Sequence, residues 1–124
     1  IYNHEGTIHD AKTKKFIRMV PEGKNYKALP TEYAGIYKYH EALTRYHSKK
    51  PSPTINTGHR SHFHYKWDRI PTVRESARLQ SFTDNFIFYG NKTQQYRQVG
   101  NAVPPLLGKA IATEILKWLK RNGN

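Results

Sequence analysis

The sequence has no cysteine at all. That excludes disulfides, thiolate metal sites and any reaction that needs a thiol from this chain. It has one methionine, and that is not the first residue; a chain that opens on Ile1 reads as a piece of something longer. No run of about 18 apolar residues occurs, so neither a membrane-spanning helix nor a signal peptide is expected. Binding flat on a membrane is not expected either. The one amphipathic helix with basic residues lies at the C-terminal end, and its apolar stripe reads as a buried face. Acid is scarce, with 9 Asp and Glu against 21 Lys and Arg, for a net charge of +12. Residues 1–66 hold 12 basic and 5 acidic residues, and residues 67–124 hold 9 and 4. Both parts are basic, which describes a basic surface and not a basic tail. Such a field suits a polyanion. Histidine is missing after His64; all seven lie between His4 and His64.

What is present reads as α+β. Thr7-Ile8-His9 and Phe16–Val20 are strand candidates, with Ala11–Lys15 as a hairpin loop between them. Pro21-Glu22-Gly23-Lys24-Asn25 is a turn. A helical pattern begins near Thr31, read as its N-cap, and carries Tyr33, Ile36, Tyr37, His40, Leu43 and Thr44 on one face. Its tyrosines suit local core better than base stacking. A polar loop, Ser48–Pro53, leads to a β-like run at Thr54–Thr57 and a turn at Gly58–Ser61. His62–Tyr65 alternates like a strand. Thr72 and Glu75 form a capping box that starts a short helix to about Gln80, with Arg74 and Arg78 on one face. Phe86-Ile87-Phe88 is a further strand candidate.

The stretch Gln98–Pro105 organises the C-terminal end. Gly100 is expected at a positive φ, with Asn101 presenting a donor and an acceptor just beyond it. Pro104 and Pro105 suit a first helical turn. Leu107, Ile111, Ile115 and Leu119 then line one face of a helix.

These blocks resemble the C-terminal part of DNA (cytosine-5)-methyltransferases. Thr72-Val73-Arg74-Glu75, Ala77-Arg78-Leu79-Gln80, Phe82, Asp84 and Phe86 resemble the penultimate motif of that family. Tyr96, Gln98 and Gly100-Asn101-Ala102-Val103-Pro104-Pro105, with the helix that follows, resemble the last. The likeness covers about residues 64–120, and Pro51-Ser-Pro-Thr-Ile55 extends it into the target-recognition region. Residues 1–45 match loosely. Thr83 stands where the family usually has proline, and His64-Tyr65 where it commonly has His-Pro.

The resemblance implies a division into residues 1–66, part of the recognition region; 67–95, the penultimate motif and a connecting strand; and 96–124, the final motif and a helix. In the family that helix completes a Rossmann-like domain that uses S-adenosyl-L-methionine. Asn101, Ala102 and Val103 are then the cofactor-binding residues. The expected partner is double-stranded DNA, with the target cytosine flipped out of the helix. Arg60 is the first choice for reading a base and Arg45 the second, since arginine can pair bidentately with guanine. Thr54 resembles the threonine of a Thr-Leu or Thr-Ile pair in the family's recognition loops, and His59 flanks Arg60. No catalytic residue is assigned, because the family attacks the base with a thiolate. The parent is expected to be a cytosine-5 methyltransferase of a restriction-modification system, in the bacterial cytoplasm and bound to the nucleoid through DNA. This chain alone is expected to be inactive without the N-terminal catalytic part or a separate catalytic subunit. The alternatives are a non-catalytic DNA-binding subunit of a split methyltransferase, and a basic RNA-binding protein. The two motif blocks argue against RNA. His59, His62 and His64 have no carboxylate close in sequence, so no metal site is expected.

Overall fold

The structure is a computed structural model that describes residues 1–34, 43–58 and 61–123. The order of elements is helix α1 (Ala11–Met19), a 3-10 turn (Tyr26–Ala28), α2 (Thr31–Ala34), strands β1 (Thr44–Arg45) and β2 (His62–Phe63), then α3 (Val73–Leu79), α4 (Lys92–Asn101) and α5 (Pro105–Asn122). The class is α+β, as expected, with less strand than the sequence suggested. β1 and β2 pair in parallel, Thr44 beside His62 and Arg45 beside Phe63.

The expected hairpin near the N-terminus is replaced by α1. Asp10 caps it by accepting from Thr13 N at 2.6 Å. No Gly, Pro or Asn interrupts 11–19, and its lysines favour helix as readily as turn. The helix places Ile17 and, just past its end, Val20 in the core. Thr7–His9 joins no strand, and Ile8 is 95% exposed. The Pro21–Asn25 turn forms as expected, closed by Lys24 N donating to Pro21 O at 3.1 Å with Gly23 at φ 71°. Thr31 is the first residue of α2 and not its cap. The remainder of that expected helix, 35–42, lies outside the described residues.

α3 carries the expected capping box. Thr72 Oγ1 accepts from Glu75 N, and Glu75 accepts from Thr72 N. Its two arginines separate rather than act together. Arg78 is exposed and forks onto Asp84 at 2.7 and 2.6 Å. Arg74 is fully buried and has no carboxylate partner among the described residues. Its guanidinium donates to Tyr2 O, Thr83 O and Phe86 O, and its backbone N–H donates to Asn3 O. A buried cation survives only when its hydrogens are satisfied; here carbonyls of two distant segments satisfy them.

Asn3 works beside Arg74. Its side chain imitates a strand edge, donating to Phe88 O at 2.8 Å and accepting from Phe88 N at 3.0 Å. That is why Phe86–Phe88 is not a strand: its backbone is served by Asn3 and Arg74. Its rings pack with Phe82, at centroid distances of 5.0 to 5.2 Å. The core joins Ile17, Val20, Tyr26, Leu29, Phe63, Ile70, Val73, Ala77, Phe88, Tyr96 and Val99. Burial of this set ties the N-terminal region to α3 and α4.

Candidate functional site

The site expected at Asn101–Val103 is an extended passage between two helices. α4 begins with a capping box of Asn91 and Gln94 and buries Tyr96 and Val99. It runs through Asn101, so Gly100 is helical and not at the expected positive φ. The reason for glycine here is space. A Cβ on Gly100 would stand 2.6 Å from the carbonyl carbon and oxygen of Asn56 and from Thr57 N. The Thr54–Thr57 segment, expected as a strand, is irregular and rests its backbone directly on α4 at that point.

After Asn101 the chain extends. Ala102 has φ −75° and ψ 145°, and its N–H still donates to Val99 O at 3.3 Å. Pro104 and Pro105 then open α5 as expected, with Pro105 at its first position. Two consecutive residues past the end of α3 grip this passage from both sides. Gln80 Nε2 donates to Val99 O at 2.6 Å before it, and Ser81 Oγ accepts from Leu106 N at 3.1 Å after it. Ser81 sits at φ 64°, a left-handed conformation uncommon outside glycine. Leu106 N is one of the orphan donors of a helix start, and no residue of α5 caps it.

Asn101 itself is exposed, and its amide is engaged by no described residue. Val103 is 64% exposed and Ala102 half-buried. The passage therefore offers one donor, one acceptor and a methyl-lined surface from a fixed backbone. Those features fit the polar end of a small zwitterion beside an apolar body.

Of the four residues expected to touch DNA, Thr54 and Arg45 are described. Arg60 and His59 lie outside the described residues. Thr54 is exposed, on the segment that continues to Asn56. Arg45 is a correction. It is 6% exposed, and it donates to Val20 O, Ile17 O, His64 O, Tyr65 O and Asp68. It caps the end of α1 and ties β1 to the chain after β2, so in this fold it has no hydrogen left for a base.

The electrostatics around α3 favour fixed charge. Burial by itself would raise the pKa of Glu75. The Arg69 fork at 2.7 and 2.7 Å, the Thr72 N–H, and the positive charge nearby bring it down to about 2. His64 Nε2 lies 3.7 Å from the same carboxylate. Burial pushes the His64 pKa down, Glu75 pulls it partly back, and Arg69, Arg45 and Lys66 add to the lowering. Burial also raises the Tyr96 phenol to about 12, and its hydroxyl donates to Pro71 O at 2.6 Å. Among the described residues no cluster of His, Asp and Glu is arranged to hold a metal ion.

α5 stands largely uncovered. Leu107, Ile111, Ile115 and Leu119 do share a face, and each is about half exposed. No described helix is long and apolar enough to cross a membrane.

Sequence reading missed the roles of Gln80 and Ser81. Gln80 belongs to the penultimate motif and Ser81 follows it directly, yet nothing local marks a hydroxyl that will cap a helix 25 residues later. The crowding at Gly100 was equally hidden, because its partner is backbone 44 residues earlier.

Comparison with known proteins agrees on one family. A family model described as C-5 cytosine-specific DNA methylase matches residues 2–117. The chain is 44% identical over 117 residues to type II methyltransferase M1.HphI of Haemophilus parahaemolyticus, covering 94% of this chain and 32% of that protein. It is 42% identical over 113 residues to putative type II methyltransferase M.MJ0563P of Methanocaldococcus jannaschii, covering 90% and 36%. It is 35% identical over 131 residues to type II methyltransferase M.AquIB of a Picosynechococcus strain, covering 96% of this chain and 90% of that protein. The chain thus spans about a third of the first two relatives and nearly all of the third.

Proposed function

The chain belongs to the C-5 cytosine-specific DNA methylases, and on that premise we propose that it is the C-terminal portion of a DNA cytosine-5-methyltransferase of a restriction-modification system. In this reading residues 1–66 contribute to target recognition. Residues 67–95 hold that region against the catalytic domain, and residues 96–124 complete the domain itself. The observation that carries the reading is the Asn101–Val103 passage: open, polar at one residue, and fixed by Gly100, Gln80 and Ser81.

S-adenosyl-L-methionine supplies the methyl group in such a reaction. Asn101 would hold its polar end, and Ala102 and Val103 would border its body. Nothing in this chain can attack the base, because no thiol is present. The nucleophile must come from a catalytic part outside this sequence. The uncovered stripe of α5 is the surface that part would bury. Double-stranded DNA is the partner of the recognition region, with Thr54, Arg60 and His59 as its candidate contacts. The setting is the bacterial cytoplasm.

A second reading makes the chain a separately encoded subunit of a split enzyme. The near-complete coverage of the Picosynechococcus relative favours it. An adjacent reading frame bearing the Pro-Cys active-site motif would select it.

The test uses the assembled enzyme. Asn101→Ala should weaken S-adenosylmethionine binding and leave the thermal midpoint nearly unchanged. Ile111→Ala should instead lower stability, by about 2–5 kcal/mol if the stripe is fully buried there. Unaltered cofactor affinity in a folded Asn101→Ala enzyme would return the passage to a plain helix junction.

A further inference from the structure

Two turns of the recognition region share one design. After β1, His47 Nδ1 accepts the backbone N–H of Lys49 at 3.0 Å. After β2, His64 Nδ1 accepts the N–H groups of Lys66 at 3.0 Å and Trp67 at 3.1 Å. Each is a His-X-Lys triplet in which an imidazole does what an Asn or Asp side chain does in an Asx-turn. A ring nitrogen that accepts an N–H carries no proton of its own, so both turns depend on an unprotonated Nδ1.

The parallel pairing of β1 and β2 sends both turns out from the same end of the strand pair. Both are fastened there. Ser48 N donates to the Glu22 carboxylate. Arg45 donates to His64 O at 3.2 Å and Tyr65 O at 3.4 Å. His64 N to Arg69 O at 2.9 Å closes the second turn. Lys49, Lys50 and Lys66 are exposed, and none pairs with a carboxylate among the described residues. Of the nearby acids, Asp68 is paired with Arg18 and Arg45, while Glu22 accepts from Ser48 N and lies 3.9 Å from His47 Nδ1. Lys66 Nζ is further placed 4.9 Å from the ring centroid of the half-exposed Trp67, a cation–π contact.

The usual cost of binding a polyanion through lysine is ordering a flexible chain. Here the backbone under two lysines is ordered beforehand, at one end of the strand pair, and no described carboxylate pairs with either lysine. We propose that the twin His-X-Lys turns form a phosphate clamp for duplex DNA, Lys49 and Lys66 being its contacts and His47 and His64 its positioning residues. The proposal rests on the DNA-binding reading above and adds where the backbone is held. Such contacts fix register on the duplex and read no sequence.

The experiment is fluorescence-anisotropy titration of the full chain with a labelled duplex near pH 7.5, across a salt series. Lys49→Ala/Lys66→Ala should weaken binding about tenfold and flatten the log–log salt slope by about 2, near one for each phosphate contact. Lys12→Ala/Lys14→Ala removes the same charge from exposed positions of α1 and should leave the slope nearly unchanged. His47→Ala/His64→Ala keeps every lysine and should still weaken binding severalfold. His47→Asn/His64→Asn restores an acceptor and should recover most of the loss. Equal effects of the two lysine pairs would overturn the clamp, as would tight binding by a folded His-to-Ala double variant. Should that variant fail to fold, the lysine comparison and the Asn pair decide. No binding by the wild-type chain even at low salt would overturn the DNA reading itself, a different pattern from unchanged binding in the lysine variants.

Discussion

Gly100 lies against the backbone of Asn56 so closely that a Cβ would meet its carbonyl at 2.6 Å. The segment proposed for recognition and the helix that ends in the proposed cofactor passage therefore touch through backbone, one residue before Asn101. A side chain there has nothing to push aside except the Asn56–Thr57 peptide.

The first prediction is that Gly100→Ala costs stability although alanine is the better helix former. Helix propensity alone would favour alanine by up to about 1 kcal/mol. Forcing a methyl into occupied space costs about 1–3 kcal/mol, and backbone cannot rotate away as a side chain could. Chemical denaturation of the two proteins checks the sign. A gain in stability would mean that the segment lifts off easily.

Ser81 separates two effects at one position. Its hydroxyl caps α5 through Leu106 N, and its φ of 64° disfavours any residue with a Cβ. Ser81→Ala loses the cap and keeps the strain, for a cost of about 0.5–2 kcal/mol. Ser81→Gly loses the cap and relieves the strain, so it should cost less. Thermal midpoints in the order wild type, Gly, Ala are expected. Alanine above glycine would contradict the conformation, and a wild type no more stable than either would contradict the cap.

Those two sites show where sequence was and was not legible. The capping box of Thr72 and Glu75 and the Pro104-Pro105 helix start were readable, because each depends on neighbours three or four residues away. The apolar face of α5 was readable from its period. α1 was mistaken for a hairpin, since Thr7–His9 and Phe16–Val20 look like strands when Asp10 is not weighed as a cap. Gly100 and Arg45 take other roles than the sequence suggests, and the burial of Arg74 is hidden from it, for a deeper reason. Each is set by backbone carbonyls from distant segments, and carbonyls leave no mark in a sequence.

Arg45 should act through folding. Its guanidinium fork serves carbonyls on α1 and beyond β2 at once. Arg45→Lys keeps the charge but loses the planar fork, leaving buried carbonyls without donors. A loss of about 1–3 kcal/mol is expected by denaturation. Unchanged stability with altered DNA sequence choice would restore Arg45 as a base contact.

Acid should loosen the start of α3, where Glu75 is held by Arg69 and Thr72 and lies beside His64. The Glu75 pKa falls from 4.5 to about 2 in the fold, so the unfolded chain binds its proton first as pH drops. Its contribution is complete above about pH 4.5 and is lost as pH falls toward 2. His64 is also shifted down, and as a base it too favours the unfolded chain once pH falls below 6.5. Thermal midpoints should therefore decline through both ranges. Glu75→Gln should start lower and fall less steeply between pH 4.5 and 2. Parallel curves would remove Glu75 as the cause.

The most direct measurement is transfer of a labelled methyl group from S-adenosylmethionine to cytosine-containing duplex DNA. No transfer is expected from this chain alone, because it holds no thiol to attack the base. 5-Methylcytosine is expected when the chain is combined with its cysteine-bearing catalytic part, and loss of that product when the chain is left out. Transfer by the chain alone, or by the catalytic part without it, would refute the proposed function.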